Sequence, residues 1–467
     1  MPSLQIPEHF KINMPIEYDR SVIKTEIVEV YPACGMNQQN LNSADAQLRF
    51  ILNSENRFFH LSSNKSGFRV RVGFITKANG GANDRTTKCT LVSNWFGHMF
   101  SSAKFGLCGR TVEHIQNLGV AMDIMYHMKR KEFRLDEGEL CGFIPDTDTG
   151  GAGHTSTLKT VTMADAAAAV AALSNKTLIV DDAYNTGFKK RLNLYNYVVA
   201  GDDVVRYAEC FVPLSSIFGF VDEYDRLMKY VSLEIELIRQ ITNAKIYFGA
   251  DGTSISFGDP NTTGLLHIVL ELESVTPSPQ YAIEMDNDIK EPILITYLER
   301  TCINRVAGQT QTFDLTETRF SCPKYIFIVC MKNNRNLFRH SDVSYIQVVV
   351  DSETYPNLLQ NAKFLENRYT KFYQSFSDIA RYFDAGVAIS MKEYKELYTI
   401  FGVDVSNQKE KIRGVNSNIS MRISRNAIPA NDNDATNPQS TEYFMLFLSE
   451  KSLKYNALSG QIEEILV

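Results

Sequence analysis

The feature that most constrains the fold is an alternation of apolar and polar side chains that recurs over short segments. Residues 231–237 alternate in this way, and so do residues 68–75, which carry four apolar side chains on one face. A period of two is that of a β-strand with one face on a core and the other in water. Strong strand patterns also occupy residues 292–303, 324–331 and 345–350. The chain is therefore predicted to consist mainly of strands.

The order of these segments favours antiparallel sandwiches over alternating βαβ units. Long loops and occasional helices separate the strand patterns, which is typical of a Greek-key or jelly-roll arrangement. The 467 residues suffice for two large sandwiches, since such units often run to roughly 200–250 residues. Residues 187–240 read as the closing strands of the first sandwich. We predict an N-terminal arm at 1–45, a first sandwich at 46–250, a linker at 251–264 and a second sandwich at 265–467.

A few segments have helical rather than strand periodicity. Residues 111–130 carry apolar side chains at helical spacing. Thr162, followed three residues later by Asp165, has the pattern of a helix N-terminus ahead of an alanine-rich run. Residues 361–383 and 392–400 look helical or irregular. The predicted fold class is therefore all-β with minor helices.

The charge balance argues against wholesale binding of nucleic acid. The formal net charge is −6, and the first 45 residues hold six acidic against three basic side chains. Phosphate neutralisation needs clustered Lys and Arg instead. The basic run at residues 189–191 is interpreted as a solvated strand end. Neither a long apolar run that would span a membrane nor a secretory signal pattern is present in the sequence.

Eight cysteines are spread along the chain without a CxxC pair. They are Cys34, Cys89, Cys108, Cys141, Cys210, Cys302, Cys322 and Cys330. Several lie in apolar surroundings. We interpret them as buried, reduced thiols, which fits a protein made in a reducing compartment.

One stretch, residues 177–187, resembles part of an enzyme site. An apolar strand leads to Asp181 and Asp182 and then to a Thr-Gly loop, as in the ribose-phosphate loop of type I phosphoribosyltransferases. In that family the acids hold ribose hydroxyls and the loop amides hold a phosphate. The pattern departs from the family after Gly187, where Phe188, three basic residues and strand-like residues replace a further Thr or Ser and a helix. A strand end leading into a turn is the preferred interpretation.

Other short motifs are incomplete as catalytic or metal sites. Residues 201–203, Gly-Asp-Asp, resemble the metal-binding turn of palm-type polymerases but lack a suitable upstream carboxylate, which favours a hairpin turn. Residues 146–151 begin like a calcium loop, but Thr157 stands where a bidentate Glu is needed. The eight histidines show no HxxxH spacing, and neither a GxSxG elbow nor a Walker loop occurs. The sequence therefore predicts no catalytic residues, no metal site and no cofactor.

Several blocks of sequence resemble one family of viral proteins. They are strand and turn patterns rather than catalytic motifs, so their specificity lies in their order and number. The blocks are FVPLSSIFGFVD at 211–222, residues 231–239, FRHSDV at 338–343, VVDSETYP at 349–356, YKELY at 394–398, FGVDVS at 401–406 and LFLSEKSL at 446–453. They resemble the double jelly-roll major capsid proteins of Polinton/Maverick-type elements and related eukaryotic double-stranded DNA viruses, and the resemblance extends over roughly residues 187–467.

The resemblance implies a structural, non-enzymatic protein of the virion, assembled inside the host cell. It implies two tandem antiparallel jelly-roll sandwiches per chain, a homotrimer that forms a pseudo-hexameric capsomer, and an icosahedral shell. The implied partners are copies of the same chain and minor or penton capsid proteins. The acidic arm at 1–45 would lie beneath the shell and tie neighbours together. Its sign fits a shell that a separate motor fills with DNA.

Two other functions remain open at this stage. One is a minor or penton virion protein, or a co-opted capsid-derived binding protein, which would form other closed oligomers but no extended lattice. The other is the phosphoribosyltransferase-like enzyme, which its sugar diphosphate would stabilise together with magnesium. Replacing Asp181 and Asp182 by Asn would abolish ligand binding in that enzyme and leave assembly intact in a capsid protein.

Overall fold

We describe the protein from a computed structural model. The residues that it describes, and to which every structural statement below refers, are 21–33, 46–53, 57–77, 89–129, 133, 137–147, 185–195, 197–200, 203–240, 246–249, 254–257, 266–307, 312–320, 323–332, 337–351, 353–383, 387–407, 417–426, 441–456 and 461–465. The predicted helix after Thr162 lies outside these residues.

The first part of the chain contributes fourteen strands among the described residues. They are β1 (Val22–Val30), β2 (Gln47–Leu52), β3 (Phe58–His60), β4 (Gly67–Lys77), β5 (Cys89–Leu91), β6 (Phe100–Leu107), β7 (Arg110–Gln116), β8 (Tyr197–Ala200), β9 (Asp203–Pro213), β10 (Met228–Lys229), β11 (Leu233–Arg239), β12 (Tyr247–Gly249), β13 (Ser254–Phe257) and β14 (Leu266–Pro277). The larger sheet has the order β10-β3-β14-β4-β9-β8, with β1 added to β14 and β13 added to β4. The second sheet has the order β2-β11-β6-β7, and β5 pairs separately with β12.

These two larger sheets pack face to face as the first sandwich. In β11 buried and half-buried side chains alternate along the whole strand, as its sequence predicts. The rings of Phe50 on β2 and Phe68 on β4 meet between the sheets, with centroids 5.2 Å apart. The apolar faces of both sheets therefore share one core.

The second sandwich is built from nine further strands of the described residues. They are β15 (Ile293–Ala307), β16 (Thr312–Phe320), β17 (Pro323–Lys332), β18 (Val343–Val350), β19 (Glu353–Tyr355), β20 (Ile400–Asp404), β21 (Ser417–Arg425), β22 (Thr441–Asn456) and β23 (Gln461–Ile465). One sheet has the order β15-β22-β17-β20, with β23 on β22, and the other has the order β16-β21-β18-β19. All these strand pairs are antiparallel. Phe313 on β16 stacks on Tyr443 of β22 at 5.5 Å and so connects the two sheets.

Short helices connect or cover the strands. They are α1 (Trp95–Met99), α2 (Leu118–Met128), α3 (Glu137–Leu140), α4 (Thr186–Leu194), α5 (Leu214–Ile217), α6 (Gly219–Glu223), α7 (Pro279–Asp288), α8 (Thr370–Phe383) and α9 (Met391–Glu396). The sequence predicted helical or irregular structure for residues 361–383 and 392–400. The helix α8 lies within the first range, and α9 overlaps the second. In the described part of the chain, no helix is long and apolar enough to cross a membrane.

The predicted helix at residues 111–130 is only half right. The chain forms β7 up to Gln116, turns at Asn117 with a φ of 50°, and then forms α2. Val112 and Ile115 belong to a strand, and Leu118 belongs to the helix that follows it. All three are buried, and they lie three residues apart, as residues on one face of a helix do. Periodicity alone could not separate the two elements because their buried residues continue one another.

The boundary between the sandwiches differs from the predicted one at residue 265. The strand β14 was assigned to the second sandwich, but it pairs with β4, β3 and β1 in the first. The strand β1, which the sequence placed in the arm, runs along β14 from Val30, opposite Leu270, to Val22, opposite Pro277. Residues from the predicted arm and from the predicted second sandwich thus complete the first one.

One large cluster of buried apolar side chains extends through both sandwiches. The β22 residues Tyr443 to Leu448 are all buried, so both faces of this central strand are covered. Six of the eight cysteines lie in the described residues, all of them are free thiols, and all but the partly exposed Cys108 are buried. Burial raises the pKa of Cys141 and Cys330 to about 12, so these thiols stay protonated. The interpretation of the cysteines as buried thiols is confirmed for those five.

Candidate functional site

Most of the residues that resembled enzyme motifs lie outside the described part of the chain. Asp181, Asp182 and Thr157 lie outside the described residues, as do Gly201 and Asp202. The flanking strands β8 and β9 pair as an antiparallel ladder, as expected of the predicted hairpin. Within the described ranges, no three His, Cys, Asp or Glu side chains lie close enough together to hold a metal ion.

The start of the supposed calcium loop has a structural role. The guanidinium of Arg191 on α4 is fully buried and donates a hydrogen bond to Oδ1 of Asp146 at 2.7 Å. It also donates to the backbone oxygens of Leu91, at 2.9 Å, and of Ile144. Residues 189–191 lie within α4, so the interpretation as a strand end is wrong, as is the expectation of strand-like residues rather than a helix after Gly187. Lys189 and Lys190 are exposed, but Arg191 is buried and fastens α4 to the first sandwich.

The most elaborate polar arrangement lies where the two sandwiches meet. Glu113 on β7 is completely buried, and its carboxyl group accepts three backbone hydrogen bonds. Oε1 accepts from Gly219 at 3.1 Å and from Arg300 at 2.9 Å, while Oε2 accepts from Phe220 at 3.1 Å. Loss of solvation raises the pKa of Glu113 to about 7, against the lowering effect of Arg300 and of the three N–H groups. One carboxyl group thus joins β7, α6 and the second sandwich.

The side chain of Arg300 on β15 completes this arrangement from the other side. Its guanidinium donates to the backbone oxygens of Ser215, Ser216 and Ile217 at 3.2, 3.0 and 3.1 Å. It also donates to Oδ2 of Asp222 at 2.6 Å. These carbonyls belong to α5, a helix too short to satisfy them internally. Arg300 therefore satisfies three backbone acceptors that α5 leaves unpaired and ties the second sandwich to them.

Close backbone packing surrounds these polar contacts. A Cβ atom on Gly219 would lie 2.0 Å from the backbone oxygen of Leu298, so only glycine allows α6 to approach β15 this closely. The ring of Tyr297 packs edge to face on Phe220 at 5.3 Å, and its hydroxyl donates to the backbone oxygen of Val112 at 3.0 Å. We call the set Glu113, Gly219, Phe220, Asp222 and Arg300 the inter-sandwich joint.

A second contact joins the sandwiches away from this joint. The hydroxyl of Tyr398 donates to the backbone oxygen of Asp146 at 2.9 Å. The ring of His127 on α2 lies 4.1 Å from the Tyr398 ring and 6.0 Å from that of Phe338. The two contacts resist rotation of one sandwich against the other, since they lie at different places on the boundary.

The arrangement as a whole fixes shape and offers no reacting group to a substrate. Glu113 and Arg300 are buried, and their polar atoms are engaged with backbone groups. Exposed apolar side chains lie elsewhere, on β1 and in the segment that follows β19. In that segment Leu358 is 77% and Leu365 78% exposed.

Sequence reasoning missed Glu113 and Arg300. Their partners lie 106 and 187 residues away for Glu113, and 78 to 85 residues away for the Arg300 side chain. An isolated Glu or Arg gives no sign of burial, because such residues are mostly exposed. Gly219 was found only as part of the block at 211–222. The one local signal was that block's dense mixture of apolar residues with Pro, Ser and Gly.

Comparison with solved structures shows the same architecture in viral capsid proteins. The major capsid protein of mavirus matches with a TM-score of 0.55 and 13% identity, covering 99% of this chain and 95% of that one. A chain of the Sputnik virophage matches with a TM-score of 0.58 and 12% identity, covering 99% and 92%. The VP54 protein of PBCV-1 matches with a TM-score of 0.52 and 8% identity, covering 97% and 99%. The sequence itself matches no family model and no curated protein.

The fold is therefore the double jelly roll, as the sequence resemblance predicted. Both sandwiches take part in the match, since it covers nearly the whole of each chain. The likeness in shape is shared with the mavirus major capsid protein, the Sputnik virophage chain and VP54 of PBCV-1.

Proposed function

We propose that this chain is a structural major capsid protein that forms homotrimeric, pseudo-hexameric capsomers of an icosahedral virion shell. The observation that carries the proposal is the pair of jelly rolls, which matches the mavirus major capsid protein over 99% of this chain. At the boundary of the two sandwiches, the described residues form the buried structural contacts of the inter-sandwich joint, which suit a structural role.

Geometry explains why two fused sandwiches suit this role. Three chains with two sandwiches each present six similar bodies around one axis, and such a unit tiles a near-hexagonal lattice. A capsomer of this kind needs the angle between its two sandwiches to stay constant. The inter-sandwich joint and the Tyr398 contact supply that constraint through direct hydrogen bonds.

The proposal extends to location, partners and domain division. The protein would reside in the virion shell after assembly inside the host cell, with minor or penton capsid proteins at special positions. It would have no catalytic residues and no cofactor. The first sandwich would end with β14 and the second would begin with β15, with α7 between them.

Electron microscopy of the purified protein, together with its mass in solution, tests the proposal. We expect a particle of three times the 52.8 kDa chain mass, and sheets or shells of such particles at high concentration. The double variant Asp181→Asn/Asp182→Asn should assemble as the unchanged protein does. A monomer that never assembles would contradict the proposal, and a closed oligomer without a lattice would support a minor virion protein instead.

A further inference from the structure

The strand β1 forms an edge of the larger sheet in the first sandwich. Among the described residues it pairs with β14 alone, and its other edge carries no strand. It is nine residues long and rich in Val and Ile, with the sequence VIKTEIVEV. An exposed edge of this length and composition is a template on which another strand can pair.

The exposed side chains of β1 support such pairing. Ile23 is 65% and Ile27 45% exposed, although both are large apolar residues. Val28 and Val30, by contrast, turn toward the core of the sandwich. The strand has a register shift between Val22 and Lys24, which marks where its regular pairing begins. Addition of a strand from outside would cover the isoleucines and satisfy the outer backbone groups.

The sequence of β1 is complementary to itself. Residues at equal distance from Thr25 complement each other. Lys24 and Glu26 carry opposite charges, and Ile23 and Ile27 are identical. If two copies run antiparallel about Thr25, each Lys24 lies opposite Glu26 of the other copy, and each Ile23 lies opposite Ile27. Opposite charges and paired β-branched residues are favourable cross-strand neighbours. We propose that β1 pairs with β1 of a second copy across a two-fold axis through Thr25, so that one sheet continues through both chains.

Other registers of the same two strands are unfavourable. A slip by one residue places Lys24 opposite Ile27 in one direction and Ile23 opposite Glu26 in the other. A slip by two residues places two copies of Glu26, or two copies of Lys24, directly opposite each other. Like charges in that position destabilise a strand pair. Within one chain, Lys24 and Glu26 already form an ion pair. In the proposed pairing, the two ion pairs of the two copies would form a cluster of four charges across the axis.

This pairing goes beyond the proposed capsomer. A two-fold contact cannot form within a trimer built on a three-fold axis, so it would join chains of neighbouring capsomers. That role rests on the proposed function, but the pairing itself concerns any two copies of this chain. A single short strand pair is a weak contact, which suits reversible joining of units during assembly.

Cysteine cross-linking tests the register. In the proposed register the two Thr25 Cα atoms lie about 4.5–5.5 Å apart, which is within the range that a disulfide spans. Under mild oxidation Thr25→Cys should therefore shift from the single-chain to the two-chain band on a non-reducing gel. Glu29→Cys is the matched control on the same exposed strand, because its two copies would lie roughly 27 Å apart. We expect it to cross-link no more than the unchanged protein, which sets the background from the native cysteines.

Charge reversal tests the complementarity in the Thr25→Cys background. Lys24→Glu and Glu26→Lys should each reduce cross-linking, since each places like charges opposite one another. The double variant Lys24→Glu/Glu26→Lys should restore it. Cross-linking that equals the Glu29→Cys control, or that is indifferent to the single reversals, would overturn the proposal.

Mass measurement on the same samples separates this inference from the proposed function. Trimers and shells without Thr25→Cys cross-linking would overturn the strand pairing and support the capsid function. Cross-linking without trimers or shells would support the strand pairing and overturn the capsid function.

Discussion

The backbone N–H of Arg300 donates a 2.9 Å hydrogen bond to Oε1 of Glu113 across the boundary of the two sandwiches. The two residues lie 187 positions apart in the sequence. The same Oε1 also accepts from Gly219 at 3.1 Å, at the start of α6. One buried carboxyl group therefore sets how the second sandwich sits against the first.

Removal of this carboxyl group should destabilise the protein strongly. In Glu113→Ala three buried N–H groups lose their acceptor, and each such loss costs about 1–3 kcal/mol. We expect the free energy of unfolding to fall by about 3–5 kcal/mol, as measured by urea denaturation. Glu113→Gln should cost less, since its carbonyl still accepts the two bonds made by Oε1. The control is His114→Ala, the exposed neighbour on β7, and equal losses in Glu113→Ala and His114→Ala would contradict the expectation.

Stability should depend on pH through the same residue. Because burial raises the pKa of Glu113 from 4.5 to about 7, the folded state favours the neutral acid. The stabilisation that protonated Glu113 gives to the folded state is fully present below pH 4.5 and is lost as pH rises through 7. The melting temperature should therefore fall as pH rises from about 4.5 to about 7 and change little above that, and the full effect amounts to about 3 kcal/mol. Glu113→Gln, which does not titrate, should show a flatter profile, and an identical slope in both proteins would refute the assignment.

Loss of the Arg300 side chain should loosen the boundary from the other side. Arg300→Ala leaves three carbonyls of α5 and the carboxylate of Asp222 without their donor. We expect a loss of about 3 kcal/mol in stability and faster proteolysis near the boundary, followed by mass spectrometry. The control is Arg422→Ala on β21, which removes a side chain that is 54% exposed and is paired with Asp314, whose side chain is 55% exposed. Its effect should stay below about 1 kcal/mol, and an equal effect of both changes would argue against a special role for Arg300.

A single methyl group at Gly219 should separate α6 from β15. The added Cβ of Gly219→Ala would meet the backbone oxygen of Leu298 at 2.0 Å, so the backbone must move. We expect a loss of about 1–3 kcal/mol and a lower yield of assembled particles in electron microscopy. Gly106→Ala is the control, because its Cβ would lie 3.4 Å from the nearest atom, the backbone oxygen of Glu234. Full assembly and unchanged melting in Gly219→Ala would contradict the expected clash.

The sequence predicted strands well wherever one face of the strand meets the core. Residues 231–237 alternate because β11 has one buried and one half-buried face, and period two is readable without knowledge of partners. The prediction for residues 111–130 failed because Val112 and Ile115 on β7 and Leu118 on α2 are buried at intervals of three residues, which is also the spacing of a helix face. The placement of β14 failed for a different reason. Periodicity reveals that a segment is a strand but not which sheet it joins, and β14 pairs with residues of β1 that lie 240 to 255 positions earlier.

The inter-sandwich joint was beyond the reach of local patterns. Burial of Glu113 is tolerated only because Gly219, Phe220 and Arg300 bring their N–H groups to it. Those groups belong to backbone, so no side-chain motif marks them. The family resemblance predicted the double jelly roll through the order of its blocks, and the blocks supplied no information about this carboxyl group.

The central position of β22 has a consequence for synthesis on the ribosome. This strand pairs with β15 on one side and β17 on the other, yet it is translated more than a hundred residues after either. Until it emerges, the nascent chain exposes two open edges rich in Ile and Val. A chain that terminates before residue 441 would leave both edges unpaired, which favours aggregation.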